Sequence, residues 1–226
     1  MGLKHIAVIP DGNRRWAKKR GLSLEQGYEA GVKKLGELLR WCRDEDVRIL
    51  SLWGFSTENF SRDASEVKSL FRIFNMKLVE ALNHDDYHRH HVRIRFFGRR
   101  DSFPHEIRKG IEELERATAP YKDFQLNVFL GYGGRQEIVD AVNSLLKEGK
   151  KNVSEHDFAQ RLYTKNLPDP DLVIRTSGEQ RLSGLMPWQA AYSELYFSKK
   201  LWPDFTRADF KRALKDYEAR KRRFGK

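Results

Sequence analysis

The sequence predicts an α/β fold of about six mostly parallel strands flanked by helices. Short runs of β-branched and aromatic residues recur along the chain, and longer stretches with apolar residues at helical spacing separate them. Glycine and proline punctuate the boundaries. Alternation of this kind builds a parallel sheet, because each parallel pair needs a crossover and a helix supplies it. No internal repeat, low-complexity segment or linker interrupts the pattern, and 226 residues suit one domain spanning residues 1–226.

The elements follow in order. His5 to Ile9 reads as the first strand, halted by Pro10. Glu25 to Glu45 carries Val32, Leu35, Leu38 and Leu39 on a helical stripe. Arg48 to Phe55 is a strand, and Ala64 to Leu82 a helix with Val67, Leu70, Phe71, Phe74, Leu78 and Leu82 along one side. Val92 to Phe97 is a strand, Glu106 to Ala117 a helix, and Phe124 to Leu130 a strand ended by Gly131-Tyr132-Gly133-Gly134. Gln136 to Leu146 and Val153 to Tyr163 read as helices, the second capped by Ser154 with Asp157 three residues on. Pro168 and Pro170 precede a strand from Leu172 to Arg175. Ser193 to Phe197 is the last strand and Ala208 to Arg222 the closing helix.

Composition narrows the partners. Lys and Arg total 43 against 32 Asp and Glu, a net charge of +11 that favours nucleic acid, an anionic membrane face or diphosphates. The basic residues gather at Arg14 to Arg20, Arg89 to Arg100 and Arg220 to Lys226, and a solvated surface explains most of them. No apolar run approaches the roughly 18 residues of a membrane span, and no signal-peptide core is visible. Cys42 is the only cysteine, so no disulfide can form within the chain and a cytoplasmic location is expected. It reads as a buried structural thiol.

Polar clusters follow several of the strands, and ligands of open parallel sheets bind beyond the carboxyl ends of the strands. Asp11 stands between Pro10 and Gly12. On the plain reading it caps a helix starting near Asn13. On the functional reading, backbone N–H groups there hold a diphosphate while Asp11 holds Mg²⁺, and Arg14, Arg15 and Lys18-Lys19-Arg20 favour this. Ser56, Asn59 and Arg62 can face a pocket at the same edge, or Ser61 or Asp63 simply caps the next helix. Arg175, Arg181 and Ser183 form a second anion-binding set, since guanidinium forks match phosphate oxygens bidentately. Together the two sets suit a metal-bridged pair of phosphorylated ligands. Glu194 interrupts an aromatic run as a strand-edge charge or as a metal or salt-bridge partner. His84, His88, His90 and His91 lack companion cysteines and read as solvent-facing rather than zinc-binding. Gly131 to Arg135 lacks the Lys-Ser/Thr pair of a P-loop and reads as a structural turn.

These residues resemble the cis-prenyltransferases, the undecaprenyl diphosphate synthase group. The matching segments are Asp11-Gly12-Asn13 with Arg15-Trp16-Ala17, Phe55 to Asn59 with Arg62, Tyr132 to Arg135, and Asp171 to Ser183. The match runs on through Trp188-Gln189 and Ala191 to Phe197 as far as Leu201 to Phe205. Order and spacing hold over essentially the whole chain. The resemblance implies a homodimer and an apolar tunnel beside the active site. It implies Mg²⁺-dependent joining of an allylic prenyl diphosphate to isopentenyl diphosphate, giving a Z-configured polyprenyl diphosphate. Carried over by motif, Asp11 holds Mg²⁺ with support from Glu194, and Asn13, Ser56 and Asn59 attend the condensing carbons and the departing proton. The backbone of Gly12 to Arg15 and the Arg15 side chain cradle the allylic diphosphate, Arg14, Trp16, Tyr28 and Arg62 are further substrate-binding residues, and Arg175, Arg181 and Ser183 bind the acceptor diphosphate. The tail's Arg223 and Gly225 match an ending that reaches the partner subunit's acceptor site. Phe71, Phe74, Leu78, Phe97, Val128 and Phe129 are candidates for the tunnel wall. Peripheral membrane contact is a further expectation, and nucleic acid is not an expected partner.

The chain departs from the family pattern at several places. Leu24 and Tyr28 stand where most relatives have an arginine and a histidine on the allylic diphosphate. Pro10, Gln180 and Gly184 to Pro187 also differ from the usual residues. Losing a charged contact typically weakens binding by about 1.5–3 kcal/mol. The departures therefore raise an irregular member, with an altered donor or a non-standard acceptor (C–O coupling to a hydroxyl included), as the alternative. A non-catalytic subunit is disfavoured because Asp11, Arg175 and Arg181 are all present. A nucleic-acid-binding module rests on charge alone.

Overall fold

The computed structural model describes residues 2–83 and 85–220. Six strands make one sheet: β1 (His5–Ile9), β2 (Ile49–Ser56), β3 (Val92–Phe97), β4 (Phe124–Tyr132), β5 (Leu172–Arg175) and β6 (Glu194–Phe197). Their spatial order is β3-β4-β2-β1-β5-β6. Every neighbouring pair is parallel, so the mostly parallel expectation resolves to a wholly parallel sheet. The helices are α1 (Asn13–Lys19), α2 (Leu24–Asp44), α3 (Ala64–Leu82), α4 (Asp85–Arg89), α5 (His105–Thr118), α6 (Gly134–Lys147), α7 (Glu155–Ala159) and α8 (Arg207–Ala219).

The chain places β2 on one side of β1 and, after β3 and β4, returns to place β5 on the other. The order thus reverses at β1, and a crevice at such a switch point is where open α/β sheets bind ligands. Alternate strand residues face opposite sides. Ile6, Val8, Leu50, Leu52, Leu126, Leu172 and Ile174 join one core with Leu38, Leu39, Leu70, Leu78 and Ile111 of the helices. Ala7, Ile9, Phe97, Phe129 and Val173 join a second core with Tyr132, Leu185, Met186 and Ala190. Cys42 is buried in the first core, and burial pushes its thiol up, so it is a structural residue.

Local chemistry sets the helix ends. Ser23 and Gln26 form a capping box at α2, and Thr206 and Asp209 form another at α8. Of the two caps expected before α3, Asp63 serves, accepting from Ser65 N at 2.9 Å. Ser154 and Asp157 cap α7 as expected, but α7 ends at Ala159 instead of reaching Tyr163. Tyr163 N is bound instead to Glu137 Oε1 at 2.9 Å. Asp11 does not cap α1: the N-cap is Gly12 at φ 115, because the Asp11 carboxylate is engaged elsewhere.

One buried histidine crosses three strands at the amino edge of the sheet. His5 is fully buried, and its Nδ1–H donates to the Pro168 carbonyl at 2.7 Å. Its Nε2 accepts from Ser51 Oγ at 2.8 Å, and that hydroxyl accepts from Asn127 Nδ2 at 3.0 Å. Burial drives the ring pKa down to about 4, partly offset by Pro168 and Asp171. In the unfolded chain a histidine titrates near 6.5, so below that pH the unfolded state binds the extra proton. Stability from this group is therefore lost as the pH falls from about 6.5 to 4, in total about 3 kcal/mol. Urea unfolding across that window should show a steeper loss in the parent than in His5→Asn. Equal slopes in both proteins would contradict this assignment.

Candidate active site

The site is built where β1 and β5 end side by side. Ile9 is in register with Arg175, so the residues that follow β1 meet the guanidinium that closes β5. Arg175 is 5% exposed, and its Nη2 donates to Asp11 Oδ2 at 2.9 Å. Its Nη1 donates to Ser183 Oγ at 2.7 Å and to the Arg181 carbonyl at 2.6 Å. The backbone around Asp11 is equally fixed: its carbonyl accepts from Thr176 Oγ1 at 2.7 Å and Trp202 N at 3.0 Å. Gly12 is required here, because a β-carbon would lie 2.9 Å from Leu201 Cδ2 and the backbone sits at φ 115. Burial pushes the Asp11 carboxyl up. Hydrogen bonds from Arg175 and Ser177 and the charges of Arg175 and Arg15 outweigh it and hold the group below its ordinary value. Asp11 is a carboxylate at neutral pH.

Asp11 and Arg175 stand at the mouth of a cavity of about 1420 Å³. Ser56, Asn59 and Arg62 share its polar rim with Asn13, Tyr28, Ser183 and the start of α6 at Gly134. Below the rim the wall turns apolar, with Leu35 of α2, Leu70, Ile73 and Leu78 of α3, and Leu52, Ile94, Phe96 and Val128 of the sheet. Of the expected wall residues, Phe74, Leu78 and Val128 line it. Phe71 instead joins Phe55, Phe60 and Phe103 in an aromatic cluster. Phe97 and Phe129 stack at 5.3 Å in the second core, since each follows a wall residue on its strand and must face the other way.

One side of the rim carries a network that sequence reasoning missed. Glu66, 7% exposed at the start of α3, accepts from Tyr28 Oη at 2.6 Å and from Arg62 Nη1 at 3.0 Å, with Arg14 Nε at 3.7 Å. Arg62 Nη1 also lies 3.0 Å from Tyr28 Oη. A buried carboxylate thus tethers two cations and Tyr28. The available signal was a carboxylate in phase with Leu70 and Ile73 on the buried helical stripe. Leu24 opens α2 at 41% exposure. Asn13 is packed so closely that a β-carbon on Gly31 would lie 2.5 Å from its Oδ1, and that oxygen is buried without a hydrogen-bond partner. Asn59 Oδ1 accepts from Ser56 N at 3.0 Å, so part of its amide holds the turn.

Other expected site residues lie elsewhere. Arg15 Nη2 donates to Ser177 Oγ at 2.5 Å, with Asp11 at 3.3 Å and Glu179 at 3.4 Å, outside the cavity wall but against the same pair. Trp16 does not face the cavity: its Nε1 donates to Asp204 Oδ1 at 2.8 Å and Arg20 stacks on its ring at 4.4 Å, pinning α1 to the turn after Trp202. The Arg181 side chain is exposed and bonded to Glu179 at 2.5 Å, so only its backbone serves Arg175 here. Glu194 does not adjoin Asp11 within the chain. It opens β6 level with Leu172, at the amino edge of the sheet, and pairs with Arg220 at 2.8 Å. Arg223 and Gly225 lie outside the described residues. His88 bonds Tyr121 Oη at 2.8 Å and His91 bonds Asp123 at 3.0 Å.

The loop from Leu182 to Ala190 is seated from below. Gly134 N donates to the Gly184 carbonyl at 2.9 Å, and Gln189 Nε2 donates to buried Glu137 at 3.0 Å and to Thr164 Oγ1 at 2.6 Å. Glu137 also accepts from Tyr132 Oη at 2.6 Å. Burial raises the Glu137 carboxyl despite these donors. Ser183 at φ 52 and Met186 at φ 47 hold left-handed conformations that this seating stabilises. Among the described residues no group of three or more His, Cys, Asp or Glu could hold a metal ion. A single ionised carboxylate at a polar rim still fits Mg²⁺, which keeps waters and takes one or two carboxylates plus substrate phosphates.

Comparison with known proteins agrees with this geometry. Residues 9–225 match the family model described as "Putative undecaprenyl diphosphate synthase". An isoprenyl transferase of Thermus thermophilus is 49% identical, over 99% of this chain and 89% of its own length. A tritrans,polycis-undecaprenyl-diphosphate synthase (geranylgeranyl-diphosphate specific) of Thermococcus kodakarensis is 44% identical, over 99% of this chain and 87% of its own. The crystal structure of lavandulyl diphosphate synthase from Lavandula x intermedia, in complex with dimethylallyl diphosphate, superimposes with a TM-score of 0.93 at 32% identity, covering 99% of this chain and 98% of that one. A probable undecaprenyl diphosphate synthase from Campylobacter jejuni gives a TM-score of 0.84 at 33% identity, with 100% of both chains covered. With its wholly parallel sheet and its Asp11–Arg175 mouth, the chain belongs to the undecaprenyl diphosphate synthase family of prenyltransferases.

Proposed function

We propose that this prenyltransferase condenses an allylic prenyl diphosphate with isopentenyl diphosphate, with Mg²⁺, to build a Z-configured polyprenyl diphosphate. One observation carries the reading: Asp11 and Arg175, 2.9 Å apart, stand at the polar mouth of an apolar-walled cavity of about 1420 Å³. Two pyrophosphate groups can share such a mouth while a hydrocarbon tail fills the interior. The alternative of a non-standard acceptor is not favoured, since the relatives at 44–49% identity bear the names of isoprenyl and polyprenyl synthesis.

On this reading Asp11 would hold Mg²⁺, which supplies charge neutralisation for the departing pyrophosphate. Arg14, Arg15 and Arg62 attract the donor diphosphate, with Gly12 to Arg15 leaving backbone N–H groups at the first turn of α1. Arg175, Arg181 and Ser183 hold the acceptor diphosphate, Arg175 already locked to Ser183 at 2.7 Å. Fixed donors aimed at the developing negative charge lower the barrier without reorganisation. Asn13, Ser56 and Asn59 orient the condensing carbons and the departing proton at the junction of polar rim and apolar wall. That wall excludes water, which would otherwise capture the allylic cation.

The same reading takes the protein as a homodimer in the cytoplasm, touching an anionic membrane face through its basic surface and using no nucleic acid. The +11 charge supports the membrane contact, and the single buried Cys42 suits a reducing compartment. Exposed Val139, Val142 and Leu146 on α6, with Trp188 and Tyr192, support a second copy as the partner.

The direct test incubates the protein with radiolabelled isopentenyl diphosphate, Mg²⁺ and C5 to C25 allylic diphosphates, then sizes the products before and after phosphatase. Label should enter acid-labile prenyl products, and Asp11→Ala should lower the rate about 10²–10³-fold. Retention of the parent rate in that variant contradicts the reading. Gly31→Ala probes Asn13 separately: the new methyl must displace the amide at 2.5 Å, so turnover should fall at least about tenfold with little change in thermal midpoint. Unchanged turnover would free Asn13 of any role. The paired change Leu24→Arg with Tyr28→His should lower the donor KM, and an unaltered KM and product spectrum would refute the idea that these two positions weaken the donor site.

A further inference from the structure

Helix α2 contains three glycines, Gly27, Gly31 and Gly36, each less favourable in a helix interior than alanine. Two are explained by packing. A β-carbon on Gly27 would lie 2.8 Å from Ala17 Cβ and from the Asn13 carbonyl, and one on Gly31 would strike Asn13 Oδ1. These glycines let α1 press against α2. Gly36 has no such reason: a β-carbon there meets nothing within 4 Å.

Gly36 also lies on the cavity wall. It shares one face of α2 with Lys33 and Arg40, at the i, i+3, i+7 spacing of a helical stripe, and both charged residues are exposed yet border the same cavity. Lys77 and Glu80 on α3 border the cavity too, paired with each other at 2.6 Å. Nearer the mouth, α2 and α3 are fastened by the Tyr28–Glu66 hydrogen bond and the Glu25–Arg72 ion pair. The eight-residue step from Tyr28 to Gly36 carries the helix roughly 12 Å further along its axis. Lys33, Arg40, Lys77 and Glu80 border the cavity there, and the space beside Gly36 is open.

We propose that Gly36 forms a side window in the cavity wall and sets product length, admitting the growing isoprenoid tail once the apolar interior is filled. This deepens the proposed chain-elongating function and rests on it. A β-carbon at position 36 meets nothing within 4 Å, and alanine, leucine and tryptophan all have a higher helix propensity than glycine. Larger apolar side chains close the window by degrees.

The test measures the length distribution of phosphatase-treated products from the parent, Gly36→Ala, Gly36→Leu and Gly36→Trp, with isopentenyl diphosphate in excess and circular dichroism to verify folding. The most abundant product should stay the same in Gly36→Ala and become shorter in Gly36→Leu. It should be shortest in Gly36→Trp, by at least one five-carbon unit. A parent that elongates while Gly36→Leu and Gly36→Trp give its own distribution, or a longer one, overturns the window. A parent that makes no elongated product refutes the proposed function instead, which keeps the two failures apart.

Discussion

The contact between Asp11 and Arg175 is the constraint around which the rest of this structure is arranged. Arg175 is nearly buried, and a guanidinium in that position needs a counter-charge and filled hydrogen bonds. Asp11 supplies the charge at Nη2, and Ser183 and the Arg181 carbonyl occupy Nη1, while the buried Nε has no hydrogen-bond partner among the described residues. The pair ties the end of β1 to the end of β5, where the strand order reverses. It also fixes the loop after β5, because that loop must curl back to reach Arg175 Nη1. Ser177 and Ser183 within it are left-handed. Leaving a charged group in such a site without its partner typically costs about 1–3 kcal/mol or more, so the arrangement is as much structural as chemical.

Most of the fold was legible in the sequence because its signals are local. Period-two and period-3.6 patterns placed all six strands and the longer helices, and Ser154 with Asp157 marked a helix start correctly. The end of that helix was not legible. Residues Gln160 to Tyr163 continue the pattern, but Tyr163 is taken by Glu137 from a different part of the chain. The Asp11 cap failed for the same reason. Asp-Gly before a helix favours a cap locally, and a guanidinium 164 residues away outbids it.

The site shows the same division. Asp11, Asn13, Ser56, Asn59, Arg62, Arg175 and Ser183 were expected from motif and do border one cavity. Trp16, Arg181 and Glu194 carry equally conspicuous sequence signals but find partners outside it, in Asp204, Glu179 and Arg220. A motif says which residue types are present, whereas strand register decides where they go. Glu194 sits at the beginning of β6 and is therefore remote from residues at the end of β1. Conversely, Glu66 and Gly31 announce little by themselves, and their importance comes from Tyr28, Arg62 and Asn13 arriving beside them.

The cavity joins the two physical demands of the proposed chemistry, a charged mouth for pyrophosphate and a dry wall for hydrocarbon. The central claim is that two pyrophosphate groups share the Asp11–Arg175 mouth. The most direct measurement is a crystal structure with Mg²⁺, isopentenyl diphosphate and a thio-analogue of an allylic diphosphate that resists ionisation. The account predicts one diphosphate on Arg175 and Ser183, the other beside Asp11 and Arg62, and the allylic tail between α2 and α3. Diphosphates bound away from this mouth, or a tail lying outside the cavity, would contradict it.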